Sequence, residues 1–407
     1  MKLNGHKIII FGLPRMDSEI ESTNYTTARL LAKTNRVYYV ENPYTLKDYF
    51  RLRNSKQGQR RKGYFSLFNT SLIDTDVPGL SVIIPPVLLS INFLPEGFLF
   101  RMALEINEFI LAFKLKRFQK KYAINDFIFI NSFNFHYPGL ASYLKPALEV
   151  YHCLDPLVVA FDKKHGLLSE KKIIIRSDVV ICSSRKLYHD KVVLNSASHF
   201  VPNAADVTHS SKVLDPQLQV SHLLADLPRP VIGYFGAIER RIDYDLLGEV
   251  SRNNSDKTFV LVGPITSEFV PAWFTALPNV KMTGAVPYTE MPAVVKGFDV
   301  ALIPFRKDEV SRTIFPLKLF EYLGAGKPVV CTDFNPDLAE FTGETVPFCS
   351  TAESFSKAIA VALSSNGEHD VAERLQIAAA NTWERRVDEI ADIIYEELIR
   401  STGKYLD

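Results

Sequence analysis

Short apolar runs alternate with helix-like segments along nearly the whole chain. In the first half the pattern predicts strands at residues 7–11, 36–40, 80–84, 126–131, 149–153, 178–183 and 199–201, and in the second half at residues 230–235, 258–262, 280–283, 299–304 and 328–332. Strands that alternate with helices are typical of parallel sheets covered by helices on both faces. The sequence therefore predicts an α/β protein with two doubly wound, Rossmann-like domains.

The boundary between these domains is predicted at residues 206–229. This segment breaks the alternation and ends in a Pro-Arg-Pro sequence, which is typical of a linker between domains at 1–205 and 230–407. Near the C-terminus, Ile390, Ile394 and Leu398 recur at helical spacing. The predicted last helix is long enough to pack on the N-terminal domain.

Composition narrows the function classes. The length of 407 residues suits two domains, and 47 Lys and Arg against 46 Asp and Glu argue against a nucleic-acid binder held by net charge. The four cysteines form no CxxC pair and lie in or beside apolar runs: Cys153, Cys182, Cys331 and Cys349. They are expected to be reduced core residues of a cytoplasmic protein, since the first residues do not resemble a signal peptide.

Three segments bear on membrane contact. The most apolar run, residues 79–100, contains three prolines and a glutamate and is a poor candidate for a membrane-spanning helix. Residues 51–63 and 113–121 are basic, and each is commonly a solvated surface. Together with the apolar run they could instead form a surface that contacts an anionic leaflet, which leaves peripheral contact with the inner face of the plasma membrane as an alternative.

The strongest functional pattern lies at residues 315–330, FPLKLFEYLGAGKPVV, directly after the apolar run DVALIPF. Pro316 and Leu317 suit the start of a helix, whose unpaired backbone N–H groups favour phosphate. Lys318 can neutralise a phosphate near that start, and Glu321 can accept hydrogen bonds from a ribose diol. A nucleotide diphosphate fits these residues, because ligands of open α/β sheets bind at the carboxyl ends of the strands.

At these positions the sequence resembles the family 4 branch of the GT-B glycosyltransferases, whose donor domain carries an E-x7-E motif followed by a glycine-rich stretch and Pro-Val-Val. Glu321 matches the second glutamate, while the first falls at Thr313, whose hydroxyl could bind a sugar hydroxyl. The resemblance implies two Rossmann-like domains that face a cleft, with an N-terminal acceptor domain and a C-terminal domain for a nucleotide-sugar donor.

The same resemblance extends over most of the second half. RPVIGYFGAIERRIDYDLL is similar to the family's first strand, glycine turn and donor-phosphate loop, with Gly236 in the turn and Arg240 or Arg241 near the expected lysine. The family's first basic residue is replaced by Ala237. Gly263, in LVGP, and the segment 284–288, GAVPY, resemble the base-binding wall.

Two candidates for catalysis lie in the first half. The segment 151–155, YHCLD, resembles a strand end of polysaccharide glycosyltransferases, some of which use an aspartate there as general base, so Asp155 is one candidate. It could equally cap the following helix. His136, after the run DFIFIN, could face the cleft or be structural. The Asp74-Thr-Asp76 triplet is interpreted as a polar loop and not as a metal motif, so no metal and no cofactor are expected.

The resemblance implies transfer of a sugar from a nucleotide-diphosphate donor, UDP or GDP, to a saccharide or lipid-linked saccharide in cell-surface polysaccharide synthesis. Two alternatives remain at this stage. One is a nucleotide-sugar 2-epimerase on the same fold, which would release UDP without an acceptor. The other is a non-catalytic GT-B scaffold, which the substitutions at Thr313 and Ala237 would suit.

Overall fold

Two parallel β-sheets organise the chain. The computed structural model describes residues 2–17, 22–364 and 366–402. It divides the chain into two compact units, of which unit 1 comprises Met1–Pro202 and Val387–Asp407 and unit 2 comprises Asn203–Arg386. The helices are α1 Thr23–Leu31, α2 Leu46–Leu52, α3 Lys56–Arg61, α4 Phe98–Lys121, α5 Leu140–Leu144, α6 Ala160–Arg176, α7 Arg185–Val192, α8 Val207–Ser210, α9 Tyr244–Asn253, α10 Ala272–Thr275, α11 Met291–Lys296, α12 Leu317–Gly324, α13 Leu338–Thr342, α14 Ala352–Ser364, α15 Glu368–Ala380 and α16 Trp383–Thr402.

The sheet of unit 1 has eight strands in the order β3-β4-β2-β1-β5-β6-β7-β8. They are β1 Lys7–Gly12, β2 Arg36–Val40, β3 Ile73–Asp74, β4 Leu80–Ile83, β5 Ile128–Ser132, β6 Leu148–Cys153, β7 Val179–Cys182 and β8 Ser198–Phe200. All neighbours are parallel except β3, which runs antiparallel to β4. Helix α4 packs Leu111, Leu115 and Phe118 on the sheet residues Ile9 and Phe129.

The sheet of unit 2 has six parallel strands in the order β11-β10-β9-β12-β13-β14. They are β9 Val231–Phe235, β10 Thr258–Val262, β11 Val280–Met282, β12 Val300–Ile303, β13 Val329–Thr332 and β14 Phe348–Cys349. This is the doubly wound Rossmann order, in which the direction of winding reverses between β9 and β12. The structure confirms every predicted strand to within two residues at each end. It adds β3 and β14, which are two residues long and too short for a periodic pattern.

Three further expectations concern the domain boundary and the core. Residues 206–229 are folded on unit 2, where Val213 and Leu224 are buried in the core, so this segment is packed structure in place of the expected linker. The last helix carries its buried residues Val387 and Ile394 in unit 1. All four cysteines are buried, unpaired thiols.

The apolar run at residues 79–100 does not form one surface. Its first part is β4, which is buried between its neighbours β2 and β3 in the sheet, whereas Phe93, Phe98 and Leu99 are exposed. In the part of the chain that the structure describes, no helix has the length and apolarity needed to cross a bilayer.

A buried ionic network fastens the carboxyl edge of the unit 1 sheet. The Arg61 guanidinium, 1% exposed, binds both oxygens of Glu41 at 2.7 and 2.8 Å and both oxygens of Asp17 at 2.8 and 2.6 Å. The hydrogen bond from Arg61 lowers the pKa of the Asp17 carboxyl. Glu41 also accepts from the Met16 N–H at 2.9 Å. The network therefore joins α3 to the loops that follow β1 and β2.

We expect Arg61→Ala to lower the free energy of unfolding by about 3–5 kcal/mol, because the buried Glu41 carboxylate loses its counter-ion. Arg60→Ala is the matched control, since Arg60 is its exposed neighbour and its loss should cost less than about 0.5 kcal/mol. Urea denaturation followed by circular dichroism measures both. Equal stability of the two variants would show that the network does not stabilise unit 1.

Candidate active site

Three glycines follow three adjacent strands at the carboxyl edge of the unit 2 sheet: Gly236 after β9, Gly263 after β10 and Gly284 after β11. Gly236 and Gly263 have φ values of +145° and +151°. A Cβ on Gly263 would lie 2.0 Å from the Gly236 carbonyl oxygen, so only glycine permits this approach of two backbones. Because glycine has no side chain, the backbone at these positions is not covered by a side chain of its own. The three glycines lie at the sheet edge, on the β9 side of the point between β9 and β12 where the winding of the sheet reverses.

Helix α12 begins next to these glycines. Pro316 occupies its N-cap position with extended backbone angles, and Leu317 is the first helical residue. The backbone N–H groups of Leu317 and Lys318 belong to the first helical turn, which has no partners inside the helix. Residues 319–324 are all buried, so α12 is a core helix with its N-terminus at the sheet edge.

Lys318 extends from the first turn of α12 to the end of β9. Its Nζ donates to the Tyr234 hydroxyl at 2.7 Å and lies 3.9 Å from the centre of the Tyr234 ring. A Cβ on Gly236 would lie 2.4 Å from this Nζ, so the amine occupies the space beside the bare backbone. Burial, and then the positive charge of Arg241, lower the pKa of Lys318 to about 7. The site thus holds an amine whose charge a bound anion would stabilise.

Glu321 is buried one turn further along α12. Its Oε1 accepts a hydrogen bond from the Tyr288 hydroxyl at 2.6 Å. Tyr288 is held in turn by His209, whose Nε2 lies 3.0 Å from the Tyr288 carbonyl oxygen and whose ring stacks on the tyrosine ring at 4.6 Å. Tyr288 belongs to a segment that the sequence assigned to the base-binding wall, but its hydrogen bond to Glu321 was not expected, because the two residues are 33 positions apart. His209 was not among the expected site residues.

The remaining donor-site candidates are less directly placed. Arg240 and Arg241 are both exposed, and Arg241 Nε lies 2.5 Å from Glu239 Oε1. Thr313 is buried, and its hydroxyl donates to the Val310 carbonyl at 2.6 Å within its own turn. The structure therefore brings Gly236, Gly263 and Lys318 close together. Glu321 lies one turn after Lys318 on the same helix, α12.

Unit 1 has a cavity of about 520 Å³ at its own carboxyl edge. Its walls come from the loops after β2 and β5, the segment before α4, and helices α2, α4 and α6. His136 lines this cavity, and burial followed by the charge of His165 lowers its pKa to about 4. His136 is therefore a neutral imidazole at pH 7. Asp155 is exposed near the start of the loop that follows β6, and it is not among the residues that line the cavity.

A second histidine in the cavity wall was missed by sequence reasoning. The Nδ1 of His165 lies 2.8 Å from the Glu96 carboxylate, and its ring stacks on Phe100 at 3.5 Å. The carboxylate also binds Arg101 at 2.7 Å. Within the described residues the buried His165 Nε2 has no hydrogen-bond partner. His165 and Glu96 are 69 residues apart in the sequence, so no local sequence pattern predicts their contact.

Among the residues that the structure describes, no cluster of three or more His, Cys, Asp or Glu side chains could hold a metal ion. The positive charge available at the unit 2 edge comes from Lys318, from the nearby arginines and from the start of α12.

We expect Gly263→Ala to destabilise unit 2 by about 2 kcal/mol or more, because the backbone angle is unfavourable for alanine and the added Cβ meets the Gly236 carbonyl. Gly284→Ala is the control. Gly284 also has a positive φ, but an added Cβ there meets no atom within 4 Å, so it isolates the cost of the backbone angle. Thermal unfolding measures the difference, and equal losses would contradict the close approach of the two loops.

Comparison with known proteins finds similarity to glycosyltransferases in sequence and in fold. Residues 229–365 match the family model described as glycosyl transferases group 1. A protein of Bacillus subtilis (strain 168) named TuaH, a teichuronic acid biosynthesis glycosyltransferase, is 27% identical over 291 residues, which cover 66% of this chain and 70% of that protein.

Solved structures show the same fold over nearly the whole chain. Sucrose-phosphate synthase from Thermosynechococcus elongatus superposes with a TM-score of 0.67 at 14% identity, covering 97% of this chain and 100% of that one. A UDP-forming α,α-trehalose-phosphate synthase from Burkholderia vietnamiensis gives 0.68 at 9% identity, covering 98% of each chain. The expected GT-B fold and the expected glycosyltransferase resemblance are confirmed. Residues 229–365 thus resemble the group 1 glycosyl transferases, and the chain is a glycosyltransferase with the GT-B fold.

Proposed function

We propose that the chain transfers a sugar from a nucleotide-diphosphate donor, bound at the carboxyl edge of unit 2, to a saccharide or lipid-linked saccharide in cell-surface polysaccharide synthesis. The observation that carries the proposal is the convergence of the Lys318 amine, the start of α12 and the bare backbone of Gly236 and Gly263. The name of the Bacillus relative, which refers to teichuronic acid, supports a polysaccharide product.

In this proposal Glu321 binds the ribose of the nucleotide. A carboxylate can accept hydrogen bonds from two vicinal hydroxyls, and the buried Glu321 carboxylate is oriented by the Tyr288 hydroxyl, which donates to it at 2.6 Å. The tyrosine fixes the orientation of the carboxylate, because it is itself held by His209. Gly263 and the backbone before Tyr288 would form the wall beside the base.

The diphosphate leaving group is stabilised by fixed positive charge. Lys318 and the first backbone N–H groups of α12, at Leu317 and Lys318, supply it directly, and Arg240 or Arg241 adds an exposed guanidinium. This charge develops its full effect when the bond to the sugar breaks, since the phosphates then carry an additional negative charge. We propose on this basis a metal-independent transfer with no resident cofactor.

The acceptor is proposed to bind unit 1, where the cavity presents a neutral His136. A neutral imidazole has a ring nitrogen that can accept a hydrogen bond from an attacking hydroxyl, which keeps His136 a candidate catalytic residue, although a pKa of about 4 makes it a weak base. Asp155 is the second candidate, as an exposed carboxylate on the loop that follows β6. Contact with the inner face of the plasma membrane is part of the proposal, because a lipid-linked acceptor would reside there.

The donor site is tested by Glu321→Ala, which we expect to weaken binding of UDP or GDP by more than tenfold, or about 1.4 kcal/mol, with the fold retained. Isothermal titration calorimetry measures the affinity. Glu353→Ala is the matched control, because Glu353 is an exposed glutamate of unit 2 that pairs with Lys357 on its own helix. Unchanged affinity in Glu321→Ala would remove the donor-site assignment.

Release of UDP without dependence on an acceptor would favour the epimerase alternative instead.

The lowered pKa of Lys318 predicts a pH-dependent affinity for the donor. A bound diphosphate favours the charged amine and raises its pKa above the value of about 7 in the free protein. Binding therefore takes up a proton, and the affinity is highest below pH 7 and falls by up to about tenfold per pH unit above it. A nucleotide-diphosphate sugar is the suitable probe, because its diphosphate is esterified at both ends and does not titrate in this range.

Calorimetry between pH 6 and pH 9 measures this dependence. In Lys318→Met the affinity should be lower and nearly independent of pH. A wild-type affinity that does not change with pH, or a variant with the same pH profile, would contradict the role of Lys318 at the diphosphate.

A further inference from the structure

The outward side of helix α4 is apolar along four turns. Its exposed members recur at helical spacing: Phe98, Leu99, Met102, Ile106, Phe109 and Phe113. We call these six residues the α4 face. The opposite side of the helix carries Leu104, Leu111 and Leu115 into the core of unit 1. The helix is therefore apolar on both sides, although only one side is covered by the protein.

The α4 face is large for a solvated surface. A folded protein commonly exposes single apolar residues, whereas a contiguous set marks an interaction site. Phe98 and Phe109 are 80% and 60% exposed. Phe68 extends the surface, since its ring lies 6.4 Å from that of Phe113 and is itself 68% exposed.

Helix α6 adds a second exposed apolar strip beside the first turn of α4. The two helices are joined there by the stacking of Phe100 on His165 and by a 2.9 Å hydrogen bond from Arg101 to the Ser169 hydroxyl. The exposed apolar residues of α6 are Phe161, Leu167, Leu168 and Ile175. A helix that contacts α4 thus also exposes apolar side chains.

Positive charge borders this surface. The last turns of α4 expose Lys116, Arg117, Lys120 and Lys121, and α6 exposes Lys163, Lys164, Lys171 and Lys172. The Arg117 guanidinium lies 5.0 Å above the Phe68 ring and 5.9 Å above the Phe113 ring, so charge and aromatic surface are adjacent. Among the described residues on the exposed side of α4, Glu105 is the one carboxylate near these cations that forms no ion pair.

We propose that the α4 face is a docking surface for an anionic lipid bilayer. Bulky apolar side chains beside lysine and arginine fit the interface of such a bilayer, where the rings enter the acyl boundary and the cations contact the head groups. Because the inner side of α4 belongs to the core, the helix lies along the membrane surface. The inference rests on the membrane location proposed above and specifies the residues that produce it.

The position of the cavity gives the docking a consequence for the acceptor. Phe100 and Leu104, on the inner side of α4, line the unit 1 cavity, and the exposed Phe93 and Phe161 stand in the same wall. A bilayer on the α4 face would therefore lie next to the wall of the cavity. An acceptor carried by a membrane lipid could then reach His136 without leaving its lipid environment.

Vesicle sedimentation tests the proposal. We expect the wild-type chain to sediment with vesicles of phosphatidylcholine and phosphatidylglycerol, less with vesicles of phosphatidylcholine alone, and less in high salt, since screening weakens the cationic contribution. The double variant Met102→Ser with Phe109→Ser should bind the anionic vesicles at least tenfold more weakly. The control is Phe269→Ser with Val361→Ser, which removes two exposed apolar residues of unit 2 and should leave binding unchanged.

Thermal unfolding and nucleotide calorimetry on the same variants keep the outcomes separate. Loss of vesicle binding with an unchanged melting temperature and unchanged nucleotide affinity supports the docking surface. Absence of vesicle binding by the wild type, or equal binding by both double variants, overturns it. A wild type that is dimeric without vesicles, and monomeric only when the α4 face is altered, would identify the face as a subunit interface and likewise overturn it. Failure of nucleotide binding alone would overturn the proposed donor site and leave the docking surface standing.

Discussion

The attachment of helix α12 to the end of strand β9 is the interaction on which the donor site depends. The Tyr322 hydroxyl accepts from the Phe235 N–H at 2.6 Å, and the Lys318 amine donates to the Tyr234 hydroxyl at 2.7 Å. These hydrogen bonds are partly buried, so the loss of each would cost about 1 kcal/mol. The helix cannot move away from β9 without that loss. Its start is therefore held at the point where the sheet reverses its winding, which is where open α/β sheets bind ligands.

This attachment also places the Lys318 amine where the protein does not fully stabilise its positive charge. Lys318 and Glu321 lie one turn apart in a buried helix, and each hydrogen-bonds a tyrosine hydroxyl. A neutral hydroxyl stabilises an ammonium ion less well than a carboxylate would. Burial, followed by the positive charge of Arg241, lowers the pKa of Lys318 to about 7. A diphosphate would supply the missing counter-charge, so the electrostatic cost of folding this site is offset when the ligand binds.

The sequence predicted the fold and the helix of the donor site well, because both depend on local patterns. The strands are continuous apolar runs, and Pro316, Lys318 and Glu321 stand within one short motif. The partners of those residues were not predictable, since Tyr288 reaches Glu321 from 33 positions away. The same limit applies in unit 1, where Glu96 and His165 come from different segments. Likewise, Thr313 occupies the place of the first family glutamate, but its hydroxyl is engaged by its own turn.

For helix α4, the sequence pattern predicted an apolar and basic surface but assigned it to the wrong residues. The sequence indicated an apolar surface at residues 79–100 and a basic one at 113–121, yet β4 is buried in the sheet and Lys114 is buried against the Tyr64 carbonyl. Neither segment alone forms the surface. The end of the apolar segment and the basic segment belong to one helix of 24 residues, which begins at Phe98 and ends at Lys121. The outer side of α4 therefore carries apolar side chains at its start and basic side chains at its end. Since both sides of that rod are apolar, hydrophobic periodicity could not reveal which side faces the core. That distinction requires the sheet, whose residues Ile9 and Phe129 cover one side of α4 and leave the other exposed.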